Sequence, residues 1–451
     1  MRPIYNYLKN RKKTVDFKFP GHKKRIDYDW IREIDETETL GTDNLYDAKG
    51  IIRESLSYAK ALYGTKETLY MVNGSTGAIQ AAILSQASPG DKVLIQRNSH
   101  MSVYQSLVLA RLRPSYLYPD LGQGFLGAVS YEEVQRALDK EDYKFMVLTS
   151  PSYEGFIPDL KRIIDLAHSK GVLVIVDEAH GSHLAFSPRL PASALEVGAD
   201  LVIHSAHKTL PSLTQTALAH INSDRVDGKR FKDFIRMTQT SSPSYVFMAS
   251  LENALDYMDG PGRQKLDQVI DYCYDFEKKV RENLLNTSIV DSGATHQDPL
   301  RLVISHKAYQ GSQLYRILYE DYDINLEMES LAYVVAVASP MSEKEDFDRL
   351  YEALEDLDSR EGQRKDFDFK LIKEDKVIDP YEAFYSPREE RPIGEALGRL
   401  SADYIIPYPP GQVLLGPGER VRKDHIDLLR AYEAAGIRVL KGPGLGLVKE
   451  D

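Results

Sequence analysis

The chain has 451 residues, of which 42% are hydrophobic and 28% are charged, a balance that excludes a largely disordered protein. At roughly 100–200 residues per domain, this length predicts two or three domains. The net charge of −11 argues against general binding to nucleic acid or to anionic membranes.

The single cysteine, Cys273, excludes an intrachain disulfide and a cysteine-based zinc site. We expect Cys273 to lie on a helix face, and we predict no metal site. The longest apolar run, at 331–341, is far shorter than the ~20 residues that span a bilayer. The basic N-terminus is not followed by an apolar segment, so it does not resemble a secretory signal. These features predict a cytoplasmic protein without membrane contact.

Residues 1–44 are polar and rich in turn residues, which predicts an N-terminal arm outside the core. From 45 to 290 strand-like and helix-like segments alternate, which predicts a large, doubly wound α/β domain. Several strand-like segments are apolar at consecutive positions, as is typical of parallel strands buried on both faces. The predicted strands cover 68–72, 92–96, 115–119, 144–150, 172–180 and 199–207.

The rest of the chain has a different pattern of predicted helices and strands. A long amphipathic helix is predicted over 263–286, and residues 291–451 are predicted to form a smaller α+β domain. Within it, the very polar stretch 359–377 is expected on the surface. The last segment contains YPPGQVLLGPGE at 408–419 and a predicted helix at 423–435.

Polar residues follow four of the predicted strands. In an open α/β sheet, ligands bind outside the carboxyl ends of the strands, so these residues are expected to meet at one edge. Each segment alone is a weak signal, and their joint placement is the evidence. The four segments are Asn73–Gly77, Arg97–His100, Asp177–His180 and His204–Lys208.

The segment Gly74-Ser75-Thr76-Gly77 opens a predicted helix. Free N–H groups, the positive end of the helix dipole and two hydroxyls suit a phosphate there. A plain helix cap with glycines for the turn is the alternative. The segment has no lysine at the spacing of a Walker loop and lacks the dinucleotide pattern.

Asp177 and Lys208 follow neighbouring predicted strands. A half-buried Asp177 carboxylate needs a cationic or hydrogen-bonding partner, and a protonated ring nitrogen would serve. Lys208 could form a Schiff base with an aldehyde, although a surface lysine is the commoner fate. A phosphate cradle, an aspartate and a lysine together indicate pyridoxal 5′-phosphate (PLP). His100 is the candidate flat partner for its ring, and the small Ala179 leaves room on the other face.

On these and further motifs the sequence resembles the Orn/Lys/Arg decarboxylase family, of the aspartate aminotransferase fold (fold type I), in its short form. That resemblance implies a mostly parallel, seven-stranded-type sheet in the large domain. The motifs, in family order, are PGHKK at 20–24, ETLGTDNLYDAKGII at 38–52, NGSTGA at 73–78, RNSHMSV at 97–103, VDEAHGSH at 176–183, SAHKTLPSLTQTA at 205–217, TSSPSY at 240–245 and the segment 408–419.

The resemblance also implies residue roles. Lys208 matches the lysine that forms the aldimine, and Asp177 matches the partner of the pyridinium nitrogen. His100 matches the histidine that stacks on the ring. The matched phosphate contacts are Ser75, Thr76, Ser205 and His207. His180 stands where long forms often carry Trp. Ala206 and the 38–52 motif depart from the usual pattern and leave the substrate open.

The expected reaction is decarboxylation of lysine, arginine or ornithine to the corresponding amine and CO₂, with Lys208 or His180 as the acid that protonates Cα. Asp43 and Glu419 are the candidates for binding the distal cation of the substrate. Alternatives are an aminotransferase or other PLP enzyme, and a PLP-binding regulator without catalysis. Arg301 could clamp a carboxylate as an aminotransferase requires, but we expect a structural role at a strand edge. Fold analogy implies a homodimer with shared sites near 41–44 and 241–245.

Overall fold

The computed structural model describes residues 3, 7, 13–25, 31, 33–39, 41–122, 125–290, 296–360, 362, 372–407, 413–440 and 445–449. Residues 408–412 of the motif at 408–419, and residues 361 and 363–371 of the polar stretch at 359–377, lie outside this part of the chain.

The strands of the described chain are short and mostly buried. In chain order they are β1 (Val15–Phe17), β2 (Glu67–Met71), β3 (Lys92–Gln96), β4 (Arg113–Leu117), β5 (Phe145–Thr149), β6 (Phe156–Ile157), β7 (Leu173–Asp177), β8 (Leu201–His204), β9 (Ala217–Ile221), β10 (Thr287–Ile289), β11 (His296–Gln297), β12 (Arg301–His306), β13 (Ile324–Leu326), β14 (Met328–Glu329), β15 (Val334–Val337), β16 (Arg388–Arg391), β17 (Ile406–Pro407), β18 (Val439–Leu440) and β19 (Leu445–Val448).

The α-helices lie between these strands. They are α1 (Ile51–Tyr63), α2 (Gly74–Gln86), α3 (Met101–Leu109), α4 (Tyr131–Lys140), α5 (Leu160–Ser169), α6 (Ala206–Thr209), α7 (Gly228–Thr238), α8 (Tyr245–Asp259), α9 (Pro261–Asn283), α10 (Gly311–Asp321), α11 (Lys344–Asp358), α12 (Pro380–Tyr385) and α13 (Lys423–Ala434). Short 3₁₀ turns occur at Leu45–Asp47, Leu184–Phe186 and Ile393–Glu395.

The large domain is built on a seven-stranded sheet in the order β2-β9-β8-β7-β5-β3-β4. Only β9 runs antiparallel to its neighbours, so the predicted, mostly parallel sheet is confirmed. β7 and β8 are buried at every position, because helices cover both faces. One face packs on α2, α3 and α7, and the other packs on α1, α5, α8 and α9. The long helix predicted over 263–286 is α9, and Cys273 is buried on it.

The second domain begins slightly earlier than predicted. Its antiparallel sheet has the order β10-β12-β15-β14, and β10 precedes the predicted boundary at residue 290. Helices α10 and α11 pack on this sheet. The last segment forms two small hairpin-like sheets, β16 with β19 and β17 with β18, around a separate cluster of buried residues.

The N-terminal arm joins the core at β1, which the polar sequence around it did not predict. β1 pairs in parallel with β13 of the second domain. Phe17 is 1% exposed, and its ring lies 5.4 Å from that of Phe347 in an edge-on contact. The arm is therefore fixed against the second domain by both backbone hydrogen bonds and an aromatic contact.

The helices of the described chain do not include one that is both long enough and apolar enough to cross a membrane.

Candidate active site

A cavity of about 400 Å³ lies at the carboxyl ends of the sheet strands, between the large domain, the arm and the second domain. The ends of β2, β3, β7 and β8 reach it, as the sequence predicted, and the end of β5 reaches it as well. Its lining residues are Phe19, Asn73, Gly74, Ser75, Thr76, Ile79, Asn98, His100, Thr149, Ser152, Tyr153, Asp177, Ala179, His180, His207, Lys208, Thr214, Gln215 and Glu327.

Lys208 lies on α6, immediately after β8, and its ammonium points into the cavity. Its Nζ is 3.0 Å from Nε2 of His180 and 5.5 Å from the centre of the Phe19 ring. Burial lowers the pKa of Lys208 to about 8, although the nearby Asp177 carboxylate acts in the opposite direction. A pKa this low leaves a sizeable fraction of neutral, nucleophilic amine near neutral pH.

Asp177 ends β7, the strand beside β8, and only 3% of it is exposed. Its Oδ1 accepts a hydrogen bond from the backbone N–H of Ala179 at 3.2 Å. Burial raises the pKa of Asp177, while the Lys208 ammonium opposes that rise. The carboxylate lines the cavity, so a cationic group bound there would compensate the cost of burying it.

The N-terminus of α2 forms the polar wall beneath Lys208. Ser205, which precedes α6, donates from its hydroxyl to the Ser75 hydroxyl at 2.7 Å, so the ends of β2 and β8 meet there. Ser75 and Thr76 line the cavity in the first turn of this thirteen-residue helix. Gly77 is buried one position further along and does not line it. The first-turn hydroxyls and the helix dipole together suit an anion.

His100 and His207 both present neutral imidazoles to the cavity. His100 caps α3, because its Nδ1 accepts from the backbone N–H of Ser102 at 3.2 Å. The Nδ1 of His207 is 2.9 Å from the carbonyl oxygen of Thr216, to which it can donate. Burial lowers the pKa of each to about 4. His100 therefore caps a helix and also presents a flat, uncharged ring to the cavity.

His180 lies between Lys208 and two aromatic rings. Its ring centroid is 4.8 Å from that of Tyr153 and 5.6 Å from that of Phe19. Burial lowers the pKa of His180 well below its ordinary value, and the Lys208 ammonium lowers it further. The His180 imidazole is thus neutral and faces Lys208 as a proton acceptor.

The sequence analysis did not predict Phe19, Tyr153 or Glu327 as site residues. Glu327 follows β13, and its carboxylate accepts from the backbone N–H of Phe19 at 2.7 Å and from the Tyr153 hydroxyl at 2.5 Å. Phe19 lies beside the PGHKK motif, which could have indicated a role. Glu327 carries no sequence signal, because only the packing of the second domain brings it to the cavity.

The PGHKK motif itself docks on the segment that carries Lys208. The backbone N–H of Gly21 donates to the carbonyl of His207 at 2.8 Å, and Ser339 donates to the Gly21 carbonyl at 2.6 Å. A Cβ on Gly21 would lie 2.7 Å from the Leu210 carbonyl oxygen, so only glycine fits without a shift. Lys23 is buried and donates to the Val337 carbonyl at 3.0 Å. The turn joins the arm, α6 and the second domain.

The two predicted substrate residues do not reach this cavity within one chain. Asp43 accepts backbone N–H groups of Asn44, Lys49, Gly50 and Ile52 and so acts as a local cap. Glu419 accepts from both Nη atoms of Arg97, at 2.6 and 2.9 Å. We correct the prediction for Glu419 accordingly, because both oxygens of its carboxylate are engaged in a buried ion pair.

Arg301 also differs from its prediction. It begins β12, which is an inner strand of its sheet and not an edge strand. It is 1% exposed, donates from Nη2 to the His180 carbonyl at 3.2 Å and lies 3.7 Å from Asp298. Its guanidinium does not line the cavity, and no other arginine is among the described lining residues. These contacts support the predicted structural role of Arg301, but its predicted position at a strand edge is wrong.

The described residues contain no group of three or more His, Cys, Asp or Glu side chains arranged to hold a metal ion. The polar groups of the cavity instead include a helix N-terminus with two hydroxyls, the carboxylates of Asp177 and Glu327 and the amine of Lys208.

Comparison with solved structures identifies the class of fold. The fold matches the structure of the constitutive lysine decarboxylase of Escherichia coli over 99% of this chain and 81% of that one, with a TM-score of 0.78 and 19% identity. A structure of SPT with PLP matches over 77% of this chain and 88% of that one, with a TM-score of 0.59 and 14% identity. The fold is therefore that of fold type I enzymes, as predicted.

The family follows from sequence. The major domain of Orn/Lys/Arg decarboxylases matches residues 2–298, and the C-terminal domain of the same family matches residues 374–445. An arginine decarboxylase of Bacillus anthracis is 31% identical over 98% of this chain and 94% of its own length. The chain belongs to the Orn/Lys/Arg decarboxylase family, and it is an amino-acid decarboxylase by class.

The Arg97–Glu419 pair ties the last segment to the loop that carries His100. Both side chains are almost fully buried, at 5% and 2% exposure, and Arg97 also lies 4.9 Å from the centre of the Tyr116 ring. Glu419→Gln would leave a buried guanidinium without its counter-ion. We expect a loss of about 3–5 kcal/mol in the free energy of unfolding, measured by urea denaturation followed by circular dichroism.

Glu141→Gln is the matched control, because Glu141 pairs with Lys92 at the other end of β3 at 3.1 Å but in an exposed position. Its loss is expected to be below about 1 kcal/mol. Equal losses for the two variants would contradict a structural role for the buried pair.

Proposed function

We propose that this chain uses PLP to remove the α-carboxylate of a basic amino acid as CO₂, giving the corresponding amine. The observation that carries the proposal is the pairing of Lys208 and Asp177. Asp177 is buried and Lys208 is half-buried at neighbouring strand ends, and both face one cavity beside a helix N-terminus. The family relationship supports the reaction, and the arginine and lysine decarboxylases among its relatives support the substrate class.

The residues present fit this coenzyme. The phosphate would lie at the N-terminus of α2, held by Ser75 and Thr76, with Ser205 and His207 beside it. Asp177 would take the protonated ring nitrogen, which gives its buried carboxylate the cation that burial requires. His100 would cover one ring face, and the small Ala179 would leave room at the other. When bound, the coenzyme supplies a pyridinium that accepts the electron pair left by the departing CO₂.

The chain's own contribution begins with Lys208. The lowered pKa provides an unprotonated Nζ, the form that attacks a carbonyl carbon. Asp177 keeps the opposite end of the site anionic, which favours positive charge on the ring nitrogen throughout the reaction. Phe19 and Tyr153 add apolar surface to the cavity wall, and the centre of the Phe19 ring lies 5.5 Å from Lys208 Nζ.

The proton that replaces the carboxylate must come from a group in the cavity. Lys208 Nζ and His180 Nε2 are 3.0 Å apart and can exchange a proton. Because the pKa of His180 is well below that of Lys208, the proton is held at Nζ in the resting site. We therefore assign Lys208 as the acid and His180 as the group that accepts from it and orients it.

An aminotransferase is the weaker alternative. Such an enzyme normally binds the substrate α-carboxylate with a bidentate arginine and retains it. A decarboxylase gains nothing from that clamp, because negative charge leaves the carboxylate in the transition state. Arg301, the one candidate, is engaged behind the cavity wall with Asp298 and the His180 carbonyl. This arrangement favours decarboxylation.

Two chains are proposed to form a homodimer with shared sites. The segments at 41–46 and 240–245 pack together, with the Tyr245 hydroxyl donating to the Asp43 carbonyl at 2.6 Å. Gln239, just before them, accepts from the backbone N–H groups of Val72 and Asn73 at the cavity edge. The position of these partly exposed segments near the cavity edge supports a site that a second chain completes.

Lys208→Ala is expected to abolish both CO₂ release and the absorbance band of the lysine-bound coenzyme. This band lies at roughly 420 nm and is a property of the coenzyme. The assay compares arginine, lysine and ornithine as substrates. Lys170→Ala, an exposed lysine paired with Asp139, is the control and should retain both signals. Formation of a keto acid without CO₂ would overturn the decarboxylase assignment.

The rate at which coenzyme-free protein binds PLP should rise with pH, with a midpoint at about 8, and level off at higher pH. The sign follows from Lys208, because its neutral amine is the reactive form and accumulates as pH passes its lowered pKa. Stopped-flow absorbance between about pH 6 and pH 11 measures the profile. A midpoint near 10.5, the ordinary value for lysine, would contradict the lowered pKa.

Mixing Lys208→Ala chains with Asp43→Ala chains should restore part of the lost activity if each site draws on two chains. The two variants are refolded together and separately, and CO₂ release is compared. Absence of recovery in mixtures shown to exchange subunits would count against shared sites.

A further inference from the structure

A row of buried polar side chains crosses four strands of the large sheet. Glu178 directly follows β7, His204 ends β8, His220 lies on β9 and Thr68 lies on β2. These strands are neighbours in the sheet. Each of the four residues is at most 2% exposed, and none of them lines the cavity. The proposed mechanism therefore gives them no direct role.

The hydrogen bonds along this row are continuous. His204 Nε2 lies 2.7 Å from a carboxylate oxygen of Glu178, and His204 Nδ1 lies 3.1 Å from Nε2 of His220. His220 Nδ1 is 2.9 Å from the Thr68 hydroxyl. The Tyr63 ring covers both imidazoles, with its centroid 5.2 Å from that of His204 and 4.8 Å from that of His220. Hydrogen bonds at both ring nitrogens and this aromatic contact together fix the orientation of His204.

Glu178 has further partners that fix it in turn. Its carboxylate accepts from the Ser193 hydroxyl at 2.6 Å and from the backbone N–H of Ala194 at 2.7 Å. The oxygen that accepts from Ser193 is the one that faces His204 Nε2, which we assign as a donor to it. Removal of His204 would leave this buried carboxylate without one of its three described partners, which is costly inside a protein.

The bond between Glu178 and His204 lies where the backbone ladder between β7 and β8 ends. The last ladder pair is Asp177 with Ile203. Successive side chains of a strand point to opposite faces, so Asp177 lines the cavity and Glu178 does not. The bond thus joins the two strand ends one residue after Asp177 and four residues before Lys208.

We propose that Glu178 and His204 are positioning residues, which hold the ends of β7 and β8 so that Asp177 and Lys208 can engage one coenzyme molecule together. This inference rests on the proposed function and adds residues that act through Asp177 and Lys208. The ring nitrogen and the aldehyde carbon of the coenzyme lie at opposite ends of one rigid ring. A small displacement of either strand end therefore costs one of the two contacts.

The test removes the link and measures coenzyme binding. In His204→Leu, the dissociation constant of PLP should rise by about 10- to 100-fold, the loss expected for a displacement on the order of 1 Å. Absorbance titration of the coenzyme-free protein measures it. In the PLP-saturated protein, kcat for CO₂ release should fall while KM stays within about twofold, because neither residue lines the cavity.

A conservative variant and a matched control separate positioning from general stability. In His204→Gln the amide N–H replaces Nε2–H as the donor to Glu178, so the dissociation constant should return to within about threefold of the wild-type value. His168→Leu is the control, because His168 Nε2 lies 2.8 Å from Asp200, which directly precedes β8 at its other end. This variant loses a similar bond and should bind PLP as the wild type does.

Three results would overturn the proposal. They are wild-type PLP affinity in His204→Leu, equal losses of affinity in His204→Leu and His168→Leu, and no rescue by His204→Gln. Should His204→Leu not fold, Glu178→Gln replaces it, because it keeps the side-chain volume and weakens the link. Wild-type affinity in that variant would count against the proposal in the same way.

Failure of the proposed function would give a different result, because the wild-type protein would then not bind PLP at all. In that case hydrogen exchange of the coenzyme-free protein, measured by mass spectrometry, decides the inference alone. The backbone N–H groups of Ala179 and Lys208, which donate to Asp177 and to the Ser205 carbonyl, should exchange at least about tenfold faster in His204→Leu. Unchanged exchange at these strand ends would overturn the inference.

Discussion

Two opposite ionisable groups that face one cavity, Lys208 and Asp177, are the constraint on which the site depends. In the described structure they share a cavity without a direct ion pair between them. Burial shifts both pKa values toward the uncharged forms. Removing these groups from water costs free energy unless a bound ligand compensates their charges. The arrangement therefore indicates a functional site more than a contribution to stability. The parallel sheet makes it possible, because β7 and β8 deliver both residues to the same edge.

The second domain and the arm supply the rest of the cavity wall at the carboxyl ends of the sheet strands. The PGHKK turn contacts the carbonyl of His207 on one side and Ser339 on the other, so α6 cannot shift without disturbing both. The Arg97–Glu419 ion pair holds the loop that carries His100 against the last segment of the chain. Cavity residues on strand ends are thus held by contacts from parts of the chain that are distant in sequence.

Much of the fold and of the site could be predicted from the sequence. Consecutive apolar residues identified the central strands, and the polar residues that follow them identified Lys208, Asp177, Ser75 and His100. The antiparallel strand β9 was missed because polar residues precede it and no helix separates it from α6. The boundary near residue 290 was late by a strand, because β10 follows a long helix without a clear signal.

Residues placed by tertiary packing could not be predicted. Glu419 and Asp43 were chosen for their charge, but charge alone does not reveal which donors lie nearby. Glu327 lies in a short segment between strands and reaches the cavity only because β13 pairs with β1 of the arm. The family resemblance implied roles for the residues proposed to hold the coenzyme, and it left the substrate open.

Reductive trapping tests the central claim most directly. The PLP-loaded protein is treated with borohydride, digested and examined by mass spectrometry for a coenzyme-modified peptide. We predict that the modification lies on Lys208 and is lost when Asp177→Ala weakens the hold on the ring nitrogen. Modification of a different lysine, or none at all in protein saturated with the coenzyme, would contradict the assignment of this cavity as the catalytic site.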